Sequence, residues 1–247
     1  MNPCFRGPAP ALLHEYGNEI AQEYITKRSE NPAHKFRWPQ RSGQSLYKVA
    51  YAALVDMSEL RCAYCDGHPI DATGEEQIDH FRPKSRKEFY GLVCSWDNLF
   101  LICSACNKAK LSKWDEALLR PDEQGFAFLR YFSYRTDTGK LEPNAAASRL
   151  DQHRAEQTIK IFGLNRAGAC TMRQWTVKSI QRVESQIELD DLGYRYLIPL
   201  CRTVVKGRVE NRLSPALPHQ TVHALLTHTA FRCSSRQGMH ICTAYFY

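Results

Sequence analysis

The chain has 247 residues, 43% of them hydrophobic and 24% charged, which is the balance of a folded globular protein and excludes a disordered or collagen-like chain. No stretch approaches the roughly 20 continuous apolar residues that a membrane-spanning helix requires, and residues 1–17 lack the basic start and apolar run of a signal peptide, so we expect a cytoplasmic protein with no membrane partner. The formal charge of +7 favours a polyanionic partner but does not identify one.

The first part of the chain predicts an irregular segment followed by a helix. Pro3, Pro8 and Pro10 disfavour regular structure at the start, because proline lacks an amide donor and fixes its own φ. Residues 44–58 then place apolar side chains on one helical face. These side chains are Leu46, Val49, Ala50, Ala53, Leu54 and Met57. We assign residues 1–58 to an N-terminal extension and helix, and residues 59–120 to a loop-rich core that carries most of the chemistry.

Helices return after this core. Ser148 followed by Asp151 resembles a capping box that begins a helix running toward Phe162, which Gly163 would end. A second apolar stripe at helical spacing consists of Val177, Ile180, Val183 and Ile187. We therefore predict a helical region over residues 121–205. Residues 206–247 are assigned to a separate C-terminal tail, because the composition changes there and no Asp or Glu occurs after residue 210.

Two cysteine pairs with CxxC spacing enclose the core, Cys62 with Cys65 and Cys103 with Cys106. In a reducing compartment such pairs indicate metal ligation before disulfides, and two CxxC loops supply the four thiolates of a tetrahedral Zn²⁺ site. Four protein ligands leave no open position for water, so the predicted role of the zinc is structural. The alternatives are buried or redox-active cysteines, or a ligand set in which His68 replaces one cysteine.

The other cysteines and the histidines of the tail carry weaker signals. The isolated cysteines are interpreted as packing or surface thiols, and they are Cys4, Cys94, Cys170, Cys201, Cys233 and Cys242. His219 and His223 have the i,i+4 spacing of a helical metal site, with His228, Cys233 and His240 beyond them. Because no acidic base accompanies them, a disordered or partner-dependent tail is the preferred interpretation.

The segment between the cysteine pairs predicts two strands followed by a helix. Residues 77–80 form a strand-like run that stops at Arg82 and Pro83, and residues 98–102 form the returning strand that leads into Cys103. Asn107 then opens a helix. This order of elements would bring Asp79, His80 and Asn107 close to one another.

These residues resemble the motif of the HNH endonuclease superfamily, in a variant with Asn at the third position. The resemblance implies an α+β fold with a zinc-supported ββα-metal core flanked by helical segments. The runs CAYC, IDHFRPKS, WDNL and CSACN within residues 60–115 are more specifically similar to the HNH nuclease subunit of Septu and retron-associated antiviral defence systems. The opening RGPAP and the FGLN at 162–165 are similar to that subfamily to a lesser degree.

The resemblance implies a metal-dependent endonuclease, and the residue types suit that chemistry. His80 is the candidate general base, since imidazole titrates near neutral pH. Asp79 and Asn107 offer oxygen ligands for a hard catalytic cation, Mg²⁺ or Mn²⁺. By resemblance, Asn98 is not a ligand but braces the loop between the strands and aims His80.

Basic residues surround this motif and predict contacts with nucleic-acid phosphates. They are Arg82, Lys84, Arg86, Lys108 and Lys110. The alternative is a solvated basic face, and Lys110 could instead stabilise charge in the transition state.

The function predicted from the sequence is hydrolysis of phosphodiester bonds in antiviral defence. DNA is favoured as the substrate, while RNA such as tRNA stays open. The resemblance implies an ABC-type ATPase partner and, in retron systems, a reverse transcriptase with its RNA–DNA hybrid. Residues 1–15 and the helix at 44–58 are the predicted docking elements. The competing hypotheses are a non-catalytic zinc module that binds nucleic acid or protein, and thiol redox chemistry at the CxxC pairs.

Overall fold

The computed structural model describes residues 1–70, 76–182 and 191–201, which all lie in one compact unit, Met1–Arg208. The tail with its histidines, Cys233 and Cys242, lies outside the described residues, as do Val183 and Ile187. The predicted division at residues 58, 120 and 205 stays a sequence-based prediction. Among the described helices, none has the length and apolar character needed to span a bilayer.

Two helices and a small hairpin form the N-terminal half. Helix α1 spans Ala11–Glu30, strands β1 (Gln40–Arg41) and β2 (Gln44–Ser45) pair antiparallel, and helix α2 spans Leu46–Ser58. The β1–β2 turn requires left-handed backbone at its glycine, whose φ is +73°. The Ser45 side chain caps α2 by accepting from the Lys48 amide. The predicted helix is thus confirmed, and Leu46, Ala50 and Leu54 of its apolar face are buried in the core.

The centre of the fold is an antiparallel hairpin followed by a short helix. Strand β3 (Glu76–His80) pairs with β4 (Leu99–Cys103), and α3 (Ser104–Lys110) follows directly. All of β4 is buried. The two predicted strands and the helix are confirmed, but the returning strand begins one residue later than expected, because Asn98 ends a 3-10 turn.

The irregular N-terminal segment is packed into the core. Met1 is completely buried. The Arg6 guanidinium donates to Asp122 at 2.6 Å and to the carbonyls of Trp96 and Leu99 at 2.6 and 2.9 Å. This segment and the apolar face of α2 thus contribute to the fold itself, and the docking role of residues 1–15 and of the helix at 44–58 stays a prediction.

The C-terminal half is mainly helical, with one unpredicted hairpin. It contains α4 (Phe128–Tyr131), β5 (Phe132–Tyr134), β6 (Leu141–Pro143), α5 (Arg149–Ile161) and α6 (Ala167–Ile180). β5 and β6 pair antiparallel. The predicted start of α5 is confirmed, since the Ser148 hydroxyl accepts from the Asp151 amide at 3.1 Å. The Asp151 carboxylate binds the Arg130 guanidinium, so one half of the capping box is observed. Helices and small sheets together confirm the α+β class.

Candidate metal centre and active site

The four cysteines of the two CxxC pairs form one cluster. Their sulfur atoms all lie within 4.8 Å of one another, and all four residues are buried. Cys62 and Cys65 are placed by a tight turn, in which the Asp66 amide donates to the Cys62 carbonyl at 2.8 Å. β4 delivers Cys103 and α3 delivers Cys106. Four converging thiols fit tetrahedral Zn²⁺, so the predicted four-cysteine site is confirmed as a zinc-compatible centre.

Arg166 touches this cluster, and sequence reasoning did not find it. Its guanidinium lies 3.5 Å from the sulfur of Cys106, 3.6 Å from that of Cys65 and 3.8 Å from that of Cys103. Hydrogen bonds from neighbouring thiols, first from Cys103, and the charge of Arg166 hold the pKa of Cys65 well below its usual value. A zinc ion bound by four thiolates would leave two net negative charges, which the guanidinium would partly offset.

His68 does not belong to the cluster. Its Nδ1 lies 3.2 Å from the Leu60 carbonyl, and the group of possible metal ligands in the described part of the chain contains the four cysteines alone. The alternative ligand set with His68 is therefore not supported by this arrangement.

The carboxylate of Asp79 is almost completely buried and is bound on both sides. It accepts from the Tyr64 hydroxyl at 2.6 Å and lies 3.0 Å from the Lys110 ammonium. Lys110 also donates to the His80 carbonyl at 2.8 Å and has no exposed surface. Burial lowers the pKa of Lys110, and the charge of Asp79 opposes that shift. This placement corrects the expectation that Lys110 is a surface contact for phosphate, because its charge is turned inward to Asp79.

Tyr64 is a second residue that sequence reasoning did not single out. It lies between the zinc-ligand candidates Cys62 and Cys65, and its ring stacks on Phe162 with centroids 3.8 Å apart. Phe162 is the first residue of the FGLN run. That run therefore supports the ring of Tyr64, whose hydroxyl binds Asp79.

The His80 imidazole is held in one orientation. Its Nε2 lies 2.9 Å from the Val93 carbonyl, and since a carbonyl only accepts, the proton is on Nε2 and Nδ1 is free to accept. Burial, with a contribution from the charge of Lys84, lowers the pKa of His80 to about 3. The ring is therefore neutral. Phe36 and Trp38 cover it, at centroid distances of 5.9 and 6.1 Å.

The Asn98 side chain ties together both sides of the loop between β3 and β4. Its Oδ1 accepts from the Arg82 amide at 2.8 Å, and its Nδ2 donates to the carbonyls of Arg82 and Leu92 at 3.1 and 3.2 Å. Leu92 directly precedes Val93, whose carbonyl orients His80. Asn98 therefore holds the loop that carries Val93. It acts on His80 only indirectly, through the Val93 carbonyl.

Asn107, on α3, contacts the strand that carries Asp79, but it is not hydrogen-bonded to Asp79. Its Nδ2 donates to the Gln77 side chain, and Gln77 and Asp79 share one face of β3. Lys110, three residues further along α3, reaches Asp79 itself. The Asn107 amide oxygen has no hydrogen-bond partner among the described residues and is available as a ligand.

The remaining predicted phosphate contacts differ in their surroundings. Arg82 and Lys108 are exposed, and the Arg82 guanidinium lies over the rings of Phe89 and Trp114. Arg86 donates to the Ser112 carbonyl at 3.3 Å. Lys84 is half-buried, and burial lowers its pKa. Their contact with nucleic acid stays a prediction.

Comparisons with known proteins agree with this geometry. Residues 62–113 match the family model described as HNH endonuclease. The chain is 26% identical to Septu protein PtuB of Bacillus mycoides (strain KBAB4) over 168 residues, 57% of this chain and 54% of that protein. It is 32% identical to Septu protein PtuB of Bacillus thuringiensis over 71 residues, 28% of this chain and 27% of that protein. The chain thus matches about half of the length of the first relative and about a quarter of the second. Residues 62–113 form an HNH domain, as the sequence motif predicts.

Proposed function

We propose that this protein is a metal-dependent endonuclease that hydrolyses phosphodiester bonds in nucleic acid. The observation that carries the proposal is the pairing of a fixed neutral imidazole, His80, with the adjacent carboxylate of Asp79 inside a domain that matches the HNH family. His80 would supply a proton acceptor and Asp79 an anionic oxygen ligand, which are the two groups that metal-assisted hydrolysis requires.

The residues around Asp79 fit a divalent cation. The carboxylate already binds the Lys110 ammonium, so this position is built to hold positive charge, and the Asn107 amide oxygen lies above the same face of β3. One carboxylate and one amide oxygen suit Mg²⁺ or Mn²⁺, with the other positions left to water and phosphate oxygens. When bound, the ion would supply Lewis-acid stabilisation of the charge on phosphorus and on the leaving oxygen.

The protein's own groups would orient the reaction. Nδ1 of His80 would take the proton of the attacking water, while Nε2–H stays bound to the Val93 carbonyl. Asn98 would act as a positioning residue through the loop that carries Val93. Arg82 and Lys108 would contact phosphates at the rim.

The biological setting is also a proposal, supported by the similarity to Septu protein PtuB. We infer an effector of antiviral defence that acts with an ABC-type ATPase and, in a retron system, with a reverse transcriptase and its RNA–DNA hybrid. DNA is the favoured substrate, with RNA such as tRNA as the alternative.

A second candidate is a zinc module that binds nucleic acid or protein without cleaving it. It is favoured by the burial of His80, which is 3% exposed, and by the Lys110 ammonium on the carboxylate of Asp79. In that case both groups would be structural.

The deciding experiment compares wild type with His80→Ala on supercoiled plasmid DNA and on total RNA, with Mg²⁺, and with or without a co-expressed ATPase. His14→Ala is the matched control, because His14 is an exposed histidine on α1. We expect cleavage by wild type and His14→Ala but not by a folded His80→Ala protein, and the substrate consumed identifies DNA or RNA. Equal cleavage by all three would place the catalytic residues elsewhere. Tight binding by all three with no cleavage would support the zinc module.

A further inference from the structure

A row of aromatic rings leads from His80 to the protein surface. The ring of His80 lies against Trp38 at 6.1 Å, Trp38 lies 6.2 Å from Tyr47, and Tyr47 is stacked with Tyr51 at 6.0 Å. We call Trp38, Tyr47 and Tyr51 the aromatic row. Tyr47 is 37% exposed, and the other two rings are half-buried.

The chain that builds the aromatic row is basic. Residues 31–55 contain four Lys or Arg and neither Asp nor Glu. Lys35, Arg37 and Lys48 are exposed and have no ion-pair partner among the described residues, whereas Arg41 is bound to Glu19 and Glu23 on α1. Lys35 and Arg37 alternate with Phe36 and Trp38, so the rings turn toward His80 while the cations turn to solvent.

Among the residues that the structure describes, Glu76 contacts the row at its outer end. The Glu76 carboxylate accepts from the Tyr51 hydroxyl at 2.5 Å, which holds the Tyr51 ring by its edge. The exposed ring of Tyr47 lies between this anchored ring and Trp38. Positive charge next to an exposed aromatic ring fits a ligand that is both anionic and aromatic, and nucleic acid has both properties.

The spacing of the rings selects unpaired bases. Neighbouring centroids in the aromatic row are 6.0 to 6.2 Å apart, while bases in a B-form strand follow one another every 3.4 Å or about that. Bases that contact successive rings therefore cannot stay stacked on each other. Bases inside a duplex also keep their faces covered, so only an unpaired strand can use the rings.

We propose that the aromatic row is a stacking platform for unpaired bases of a DNA or RNA strand, and that it directs the strand toward His80. The direction toward His80 rests on the proposed function, while the binding of unpaired bases does not. The cations Lys35, Arg37 and Lys48 would contact the phosphates of the same strand.

The test is the binding of fluorescein-labelled 15-nucleotide oligomers, measured by anisotropy with the full chain and without added divalent ions. The probes are single-stranded DNA, single-stranded RNA of the same sequence, and the DNA duplex. We expect tighter binding of the single strands than of the duplex, and single-strand binding that Tyr47→Ala weakens roughly 5- to 150-fold. Tyr47→Phe, which keeps the ring, should bind like wild type. Trp175→Ala is the matched control, because Trp175 is 59% exposed on α6 and lies outside the row.

A charge variant tests the phosphate contacts separately. Lys48→Gln should reduce the slope of log affinity against log salt by about one, and Lys178→Gln, an exposed lysine on α6, should leave the slope unchanged. The affinities for the DNA and RNA strands show which of them the platform accepts.

Two results would overturn the inference: equal affinity of Tyr47→Ala and wild type for the single strands, or preference of wild type for the duplex. A cleavage assay with Mg²⁺ distinguishes a failure of the stacking platform from a failure of the proposed nuclease function. Cleavage of duplex by wild type and Tyr47→Ala alike would refute the platform and leave the nuclease standing. Tyr47-dependent binding of single strands with no cleavage of DNA or RNA, even with the co-expressed ATPase, would refute the nuclease and leave the platform standing.

Discussion

Lys110→Met tests whether a buried ammonium stabilises the candidate metal site in the absence of a metal. Lys110 is completely buried and lies 3.0 Å from one Asp79 oxygen and 3.1 Å from the other. Removal of one partner of such a pair leaves an uncompensated buried charge and typically costs about 3–5 kcal/mol. For a protein of this size that corresponds to a fall in Tm of about 6–20 °C. Met has a similar length, so the loss of packing is small.

The assay is urea and thermal unfolding of wild type, Lys110→Met and Lys108→Met. Lys108 lies on the same helix but is exposed, so its substitution should change the free energy of unfolding by no more than about 0.5 kcal/mol. Asp79→Asn combined with Lys110→Met removes both charges and should recover part of the loss. Added Mg²⁺ should stabilise Lys110→Met more than it stabilises wild type, because the carboxylate then has no ammonium beside it. If Lys110→Met unfolds within about 0.5 kcal/mol of wild type, the buried ion pair does not hold the site together.

Three further predictions concern the other polar contacts. Arg166→Gln removes the charge beside the cysteine cluster and should weaken zinc retention against a chromogenic chelator by about 10- to 100-fold; unchanged retention would mean that the guanidinium only packs there. Asn98→Ala leaves buried backbone groups of the loop unpaired and should lower the free energy of unfolding in urea by about 1–3 kcal/mol, and an unchanged value would contradict the bracing role. Burial raises the pKa of Asp122, but hydrogen bonds from Arg120 and Arg6 outweigh it and hold the pKa below its usual value. The stabilisation is therefore present above the ordinary carboxyl pKa of about 3.9 and is lost as the pH falls through the lower pKa of the folded state. Asp122→Asn should reduce the loss of unfolding free energy as the pH falls through the acid range. If that loss is unchanged, other carboxyl groups cause it.

The parts of the fold that the sequence predicts are those with local signals. The CxxC spacing predicts the cysteine cluster, two short strand-like runs predict β3 and β4, and Ser148 with Asp151 predicts the start of α5. Each of these signals is contained within a few neighbouring residues. The observed boundaries differ from the predicted ones by one to three residues. β4 begins one residue later because Asn98 belongs to a 3-10 turn, and α3 begins three residues earlier, directly after its N-cap Cys103.

The parts that could not be predicted depend on contacts between distant segments. Arg166 reaches the sulfur of Cys106 across 60 residues of chain, and neither its type nor its neighbours indicate a metal centre. Lys110 looks like a surface cation in a lysine-rich run, but α3 turns it inward because Asp79 lies on the facing strand. The cover of Phe36 and Trp38 over His80 likewise follows from tertiary packing and not from any local pattern.

The cysteine cluster and the candidate catalytic residues share their supporting elements. Tyr64, whose hydroxyl binds Asp79, lies between Cys62 and Cys65. Lys110 follows Cys106 by one turn of α3, and β4 joins Cys103 to the residue that pairs with His80. Metal binding at the four thiols would therefore fix the Tyr64 hydroxyl, the start of α3 and the end of β4 at the same time. Because all three set the position of Asp79 or His80, the structural centre and the candidate active site form one mechanical unit.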